Sequence, residues 1–202
     1  MENIIQQTKT EGEEKIRASK SKTKEINSPS ATLGNKSKSK TKGDFSPSVT
    51  LGKKSKSKTK EINSPSATLG NNSKSKTKGE QAHSATFEEK SHSYTEGDGA
   101  YSVTLGSYSL SETKGKNAIT SAYGYMSIVK AHHGLVSIVE YKLKKEELVP
   151  KKTHSAQVGE KILDVTIEPD KPYGFDEKGT FREFTEEEVL EILNPYLKKL
   201  KS

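Results

Sequence analysis

Five histidines, His83, His92, His132, His133 and His154, are the side chains in this 202-residue chain best suited to metal binding or proton transfer. His83 and His92 lie nine residues apart, which in the repeat that organises the chain places them on opposite strands, so they cannot share an ion. His132-His133 has no carboxylate at ligand spacing. The absence of cysteine removes thiolate metal sites and disulfides and leaves the redox compartment open. Hydroxyls are abundant in S-x-S-x-T strings, but no histidine or lysine is placed to activate one as a nucleophile. The stretch Glu89 to Gly99 is superficially similar to calcium-binding nonapeptide rolls. Those rolls need aspartate in successive coils, and here only Asp98 stands at such a place. No enzyme, metal site or cofactor is expected.

The remaining chemistry is charge. Residues 1–90 carry 19 Lys and Arg against 10 Asp and Glu, a net of +9, while residues 91–202 carry 15 against 17, a net of −2. Apolar residues make up 29% of the chain and charged ones 30%, which excludes a conventional oily core over its whole length. No run approaches the ~18 apolar residues of a membrane span, so no membrane insertion is expected. The opening MENIIQQTKTEGEEK lacks the apolar stretch of a signal peptide, and export is not expected.

The lysines belong to a repeat. SKSKTK begins at Ser19, Ser37, Ser55 and Ser73, and SPSATLG or SPSVTLG begins at Ser28, Ser46 and Ser64. Both strings are forms of one nonapeptide, S-x-S-x-T-x-(G/E)-x-x, which continues in degraded form to about Tyr141. Its seventh position is glycine in nine of the thirteen units from Ser19 onwards, too strict a register for a random polar tail. Six alternating residues closed by glycine and two polar positions read as a short strand and a tight turn, with glycine expected to supply positive φ. Two nonapeptides make an 18-residue coil. About seven such coils, stacked in parallel, give a mostly β chain built around a parallel β-solenoid.

Parity fixes what is inside. Alternate residues of a strand face opposite sides. If the even positions faced inward, twelve ammonium groups would be buried together, at several kcal/mol for each unpaired one. Ser, Ser and Thr must therefore fill a thin interior. Lys20, Lys22, Lys24, Lys38, Lys40, Lys42, Lys56, Lys58, Lys60, Lys74, Lys76 and Lys78 then form an outward grid, a candidate surface for a polyanion or another partner. With only Arg17 and Arg182 as arginines and no interleaved aromatics, base-specific recognition is not expected. The competing reading is a solubilising face that blocks sheet stacking. Ice binding would need the hydroxyls to face water, which parity forbids.

The alternate strands present apolar residues outward. Leu33, Val49, Leu51, Leu69, Phe87, Tyr101, Val103 and Leu105 are the candidate self-association residues, giving a homodimer or homotrimer, because a soluble monomer rarely exposes so long an apolar face. The alternative is that the C-terminal region folds back over them.

Residues 1–18 are read as a leading segment, 19–141 as the solenoid, and 142–202 as a small β module that caps the open edge, ending in an amphipathic helix. Leu135–Leu143 and Ile162–Glu168 read as strands, and Asp176–Gly179 as a hairpin turn into Phe181 and Phe184. Thr185 and Glu188 have capping-box spacing for a helix to Leu200, kinked at Pro195, with Leu190, Leu193, Leu197 and Leu200 on one face and Lys198 and Lys199 at its end. That helix is expected to dock on the module or to join helices of other subunits.

The nonapeptide, together with VGEKILDV (Val158–Val165), PDKPYGFDEKGTFREF (Pro169–Phe184) and the transition Ala122–Tyr141, resembles a family of Ser/Ala/Gly-rich nonapeptide-repeat proteins in phage and bacterial genomes. More distantly, the repeats resemble the β-roll heads of trimeric autotransporter adhesins. Neither resemblance brings a catalytic residue. What they imply is a non-catalytic structural or interaction protein encoded by a phage or mobile element, in the cytoplasm of a bacterial host or associated with a virion. The second function expected is an anti-defence (anti-CRISPR-like) inhibitor of a host nucleic-acid-handling complex, acting through the lysine face.

Overall fold

The computed structural model describes residues 18–194. Its first nine strands are β1 (Lys20–Lys22), β2 (Ser30–Leu33), β3 (Lys38–Lys40), β4 (Ser48–Leu51), β5 (Lys56–Lys58), β6 (Ser66–Leu69), β7 (Lys74–Thr77), β8 (Ser84–Thr86) and β9 (His92–Thr95). The repeat continues through β10 (Tyr101–Thr104), β11 (Leu110–Thr113), β12 (Ile119–Ala122), β13 (Ile128–Ala131) and the longer β14 (Leu135–Lys144). Odd-numbered strands from β1 to β13 form one parallel sheet, A, and even-numbered strands from β2 to β14 form the other, B. Residues pair with their equivalents 18 positions on, as in Lys20 with Lys38 and Ser48 with Ser66. The molecule is a parallel β-solenoid of about seven coils.

The interior is the one parity requires. Ser39, Thr41, Ser48, Thr50, Ser57 and Thr59 are buried, as are their equivalents above; Ser21 and Thr23 of the first coil are half-buried, and none of the twelve grid lysines is buried. Three kinds of interior position have their own hydrogen bonds. The first serine ties coil to coil: the Ser55 hydroxyl accepts from the Ser37 N–H at 3.1 Å and donates to the Gly34 carbonyl at 3.2 Å. The second crosses the slab, as where Ser39 donates to the Ser30 carbonyl at 2.7 Å and Ser75 to that of Ser66 at 2.6 Å. Threonines of sheet A close the next turn, Thr41 donating to the Ser46 carbonyl at 2.6 Å.

Glycine at position seven supplies the expected positive φ at Gly34, Gly52 and Gly70 (117°, 137° and 145°), whereas at Gly43 and Gly79 close approach is the reason for it. A Cβ on Gly79 would lie 1.9 Å from the Glu61 carbonyl oxygen of the coil below, and one on Gly43 would lie 2.0 Å from that of Glu25. A left-handed residue also stands at the ninth position: Asn27, Lys36, Phe45, Lys54, Asn63, Asn72, Gln81 and Lys90 all have φ between 51° and 60°. Their N–H groups, turned by that conformation, bond to the next coil, as from Lys54 to the Asn71 carbonyl at 2.9 Å.

The top of the stack is closed by antiparallel strands. β15 (Glu147–Gln157) returns along β14 as a long hairpin and forms the upper edge of sheet B. β16 (Lys161–Ile162) and β17 (Val165–Thr166) make a small hairpin where one strand over 162–168 is expected, because Leu163 takes a left-handed turn conformation. β18 (Pro172–Phe175) pairs with β13, and β19 (Phe181–Glu183) pairs with β18, so sheet A is also continued. β14 runs through the expected 141/142 junction, and both sheets pass into the cap without a break. Ala122, Val129, Val136, Ile138, Ile167, Tyr173, Phe175 and Phe181 form its hydrophobic core.

Helix α1 (Glu186–Leu193) begins at the expected capping box, with Thr185 and Glu188 reciprocally bonded. It packs on the outer face of sheet A, where Val189 and Phe184 cover Leu110 and Ile128. Among the described residues the C-terminal region therefore covers the upper part of the lysine-bearing sheet and leaves the outer face of sheet B open. The expected continuation through Pro195, Leu197, Lys198, Lys199 and Leu200 lies outside the described residues.

Candidate functional site: two opposed solenoid faces

The outer face of sheet A carries three columns. Lys20, Lys38, Lys56 and Lys74 lead to His92; Lys22, Lys40, Lys58 and Lys76 lead to Tyr94. Lys24, Lys42, Lys60 and Lys78 form the third, with Glu96 at its head. Neighbours lie ~4.8 Å apart between coils and ~7 Å apart along a strand. Crowding registers in the amines: burial first, then the charges of neighbouring lysines, lower Lys40 and Lys58 below the usual ammonium range.

One carboxylate terminates the grid. Glu96 pairs with Lys76 at 3.1 Å and with Lys78, and accepts from the Tyr94 hydroxyl at 2.6 Å. Partial burial on its own would raise this carboxyl, but hydrogen bonds from Lys78, Tyr94 and Lys76 outweigh it and hold the group at about 2. The Lys76 ammonium also sits 3.9 Å from the Tyr94 ring centroid, a cation–π contact. Among the described residues, the ion pairs of the grid involve only Lys76 and Lys78, at its upper end. Its lower three rows present cations without a carboxylate in contact.

The outer face of sheet B is apolar. Leu33, Leu51, Leu69, Phe87 and Leu105 form a single column, between 40% and 60% exposed. Tyr101 is exposed beside it, and Val49 and Val103 are half-buried in the middle column. Sequence reasoning missed a second set. Ile26, Phe45 and Ile62, on the turns leading from sheet A into sheet B, are also exposed and lengthen the apolar surface. Their signal was the apolar residue in the turn strings EIN, DF and EIN.

The histidines do not converge. His83 stacks on Tyr101 beside sheet B, whereas His92 lies in sheet A with Nε2 3.3 Å from Glu112. His132 does have a carboxylate neighbour, contrary to expectation: the cap brings Asp170 within 2.5 Å of Nδ1 from 38 residues away. His154 is buried against Phe175 and bonded to Glu140 at 3.0 Å, and Lys151 holds the same carboxylate from its other side. The Lys151 hydrogen bond, against partial burial, and the His154 one lower the Glu140 carboxyl. Among the described residues no three such groups gather around a point that a metal ion could take. A groove of about 720 Å³ beside the β14–β15 hairpin is lined by Tyr125, Tyr141 and Phe175 with Glu140 and Lys151. Of its three lining carboxylates, Glu140, Asp176 and Glu177, the first is already paired with Lys151 and His154.

Compared with protein-family models, with curated proteins and with solved structures, the chain matches none. The two faces themselves carry the functional reading.

Proposed function

We propose that this is a non-catalytic structural or interaction protein that assembles with copies of itself through the outer face of sheet B. The observation that carries the reading is the apolar column from Leu33 to Leu105, which no described residue covers while α1 packs on the other sheet. Five coils at ~4.8 Å by a strand width of ~17 Å give a patch on the order of 400 Å². That is as large as the biggest patch of a typical monomer. Pairing two would bury about 800 Å² through the strands, and the exposed turn residues Ile26, Phe45 and Ile62 bring the pair towards the ~1,000 Å² of a specific interface. A repetitive flat face is complementary to itself under a two-fold axis, so a dimer is the simplest product and a trimer the next. The resemblance of the repeat and tail to phage and bacterial nonapeptide-repeat proteins supports a phage or mobile-element origin, in a bacterial cytoplasm or a virion. Among the described residues no helix is long and apolar enough to cross a membrane.

Light scattering tests this reading. The wild-type chain is expected at a multiple of 22.2 kDa and the Leu51→Lys/Leu69→Lys variant at the monomer mass. A wild-type monomer removes the proposal.

The second reading, inhibition of a host nucleic-acid-handling complex, is favoured by the uncompensated lower rows of the lysine grid. It requires that a pull-down from host lysate retain the complex after nuclease treatment. Loss of the complex on digestion argues for binding through nucleic acid alone.

A further inference from the structure

The two faces lie on opposite sides of one slab. Sheets stack ~10 Å apart, so pairing two solenoids through sheet B makes a four-sheet sandwich with its two lysine grids ~30 Å apart, facing away from each other. No straight polymer can lie on both grids at once. From this geometry we infer that the assembled protein is bivalent and that each lysine grid seats a separate stretch of a phosphate polymer, so that one particle bridges two chains. The inference rests on the sheet-B pairing proposed above.

The grid's chemistry selects phosphate. All twelve cations are lysines, compact point charges with freely rotating donors. Arginine's planar fork would hold a carboxylate or a phosphate in two fixed bonds, whereas a lysine grid reads a line of charge without fixed geometry. The lower four coils of sheet A expose no aromatic or large apolar strand residue, so there is nothing on which to stack a base or bury a peptide side chain. What remains is backbone charge, read without regard to sequence. The partner chemistry is therefore a linear chain of phosphates, from nucleic acid or from inorganic polyphosphate. Glu96 marks where the unbroken grid stops: above it, sheet A presents Glu112 and a single exposed Lys114, then Lys130 and His132, which pair with Glu186 and Asp170 of the cap. The seat is the lower three rows, with Lys76 and Lys78 at its margin.

A bead-capture assay tests this with the full chain. One duplex DNA is fixed to beads, a second carries a fluorophore, and protein is added at 50 mM and 200 mM salt. Wild-type protein is expected to retain the labelled duplex at low salt and to lose affinity on the order of 100-fold at the higher salt, as four or more phosphate contacts require. Lys38→Gln/Lys40→Gln/Lys56→Gln/Lys58→Gln should keep the oligomer mass and lose both binding and bridging by at least tenfold. Leu51→Ser/Leu69→Ser should bind each duplex singly and bridge none. Competition by polyphosphate, single-stranded DNA and poly-glutamate separates phosphate from carboxylate polymers, and the relative strength of the first two separates the phosphate sources: both should displace the duplex and poly-glutamate should not. Unchanged binding by the lysine variant, binding without bridging by an oligomeric wild type, or displacement by poly-glutamate as effective as by polyphosphate would each overturn the inference. Failure of the underlying pairing appears separately, as a wild-type monomer in light scattering.

Discussion

From Ser19 to about Thr86 the interior positions are almost all serine and threonine; from Ala118 upward they become Ala122, Val129, Ala131, Val136 and Ile138. The backbone path is the same in both regions as far as β13, with an 18-residue pairing register and a left-handed residue at position nine up to Met126; between β12 and β14 the spacing falls to 16, Ile119 facing Leu135. What holds it differs. The lower coils use directional hydrogen bonds between coils and across the slab, whereas the upper coils bury Val129, Ile138, Tyr173, Phe175 and Phe181 in a shared core. Serine and threonine supply little apolar area at ~25 cal/mol per Å². The lower coils thus depend on their neighbours, as solenoid units do, and the cap provides the one packed core from which the stack can propagate.

Substitutions can break this contrast. The largest effect is expected in the cap: Phe181→Ala removes a buried ring packed on Tyr173 and Phe175 and should destabilise the chain by ~3–5 kcal/mol in denaturant unfolding. A smaller and sharper test lies within the hydroxyl interior. Thr41 donates a hydrogen bond, but Thr32, Thr50, Thr68, Thr86 and Thr104, their equivalents in sheet B, are buried without partners among the described residues. Thr41→Val should cost ~1 kcal/mol, and Thr50→Val should be neutral or stabilising, since it removes an unpaired buried hydroxyl. Equal losses at both sites would show that hydroxyl bonding does not distinguish the two sheets.

The smallest effect concerns acid. Glu96 and Glu188 are both held at about 2, below the ordinary 4.5, the latter chiefly by its hydrogen bond from Arg182 and then by the capping N–H of Thr185. A depressed folded-state carboxyl contributes stability that is complete above pH 4.5 and is lost as pH falls towards 2. Thermal midpoints should therefore drop across that window, and by less in Glu96→Gln. An identical acid profile in that variant would remove Glu96 from the account.

The solenoid was legible because its signal is periodic. Lysine at every even position of SKSKTK leaves parity one answer, and 18-residue spacing then sets the register. Glycine at position seven was recognised for a reason that holds at Gly34, Gly52 and Gly70 but not at Gly79, since a sequence shows the residue type but not that the adjacent coil's carbonyl lies 1.9 Å from the missing Cβ there. β15 went unread because ELVPKKTHSAQ is an exposed, lysine- and proline-bearing edge strand with no apolar alternation. The His132–Asp170 pair joins residues far apart in sequence through a cap whose path no local pattern specifies. The exposed faces were both anticipated, because outward residues follow from inward ones. The docking of α1 on Leu110 and Ile128 was not, because two leucine-type residues in a lysine column look like repeat decay until a helix covers them.

The pairing of sheet B can be read most directly by chemical cross-linking, since the chain has no cysteine of its own. Leu51→Cys places a lone thiol on the apolar face and Lys56→Cys places one on the lysine face. A short bis-maleimide should convert most of the first protein to a covalent dimer and little of the second. Equal cross-linking of both, or of neither at concentrations where light scattering shows assembly, would contradict association through sheet B.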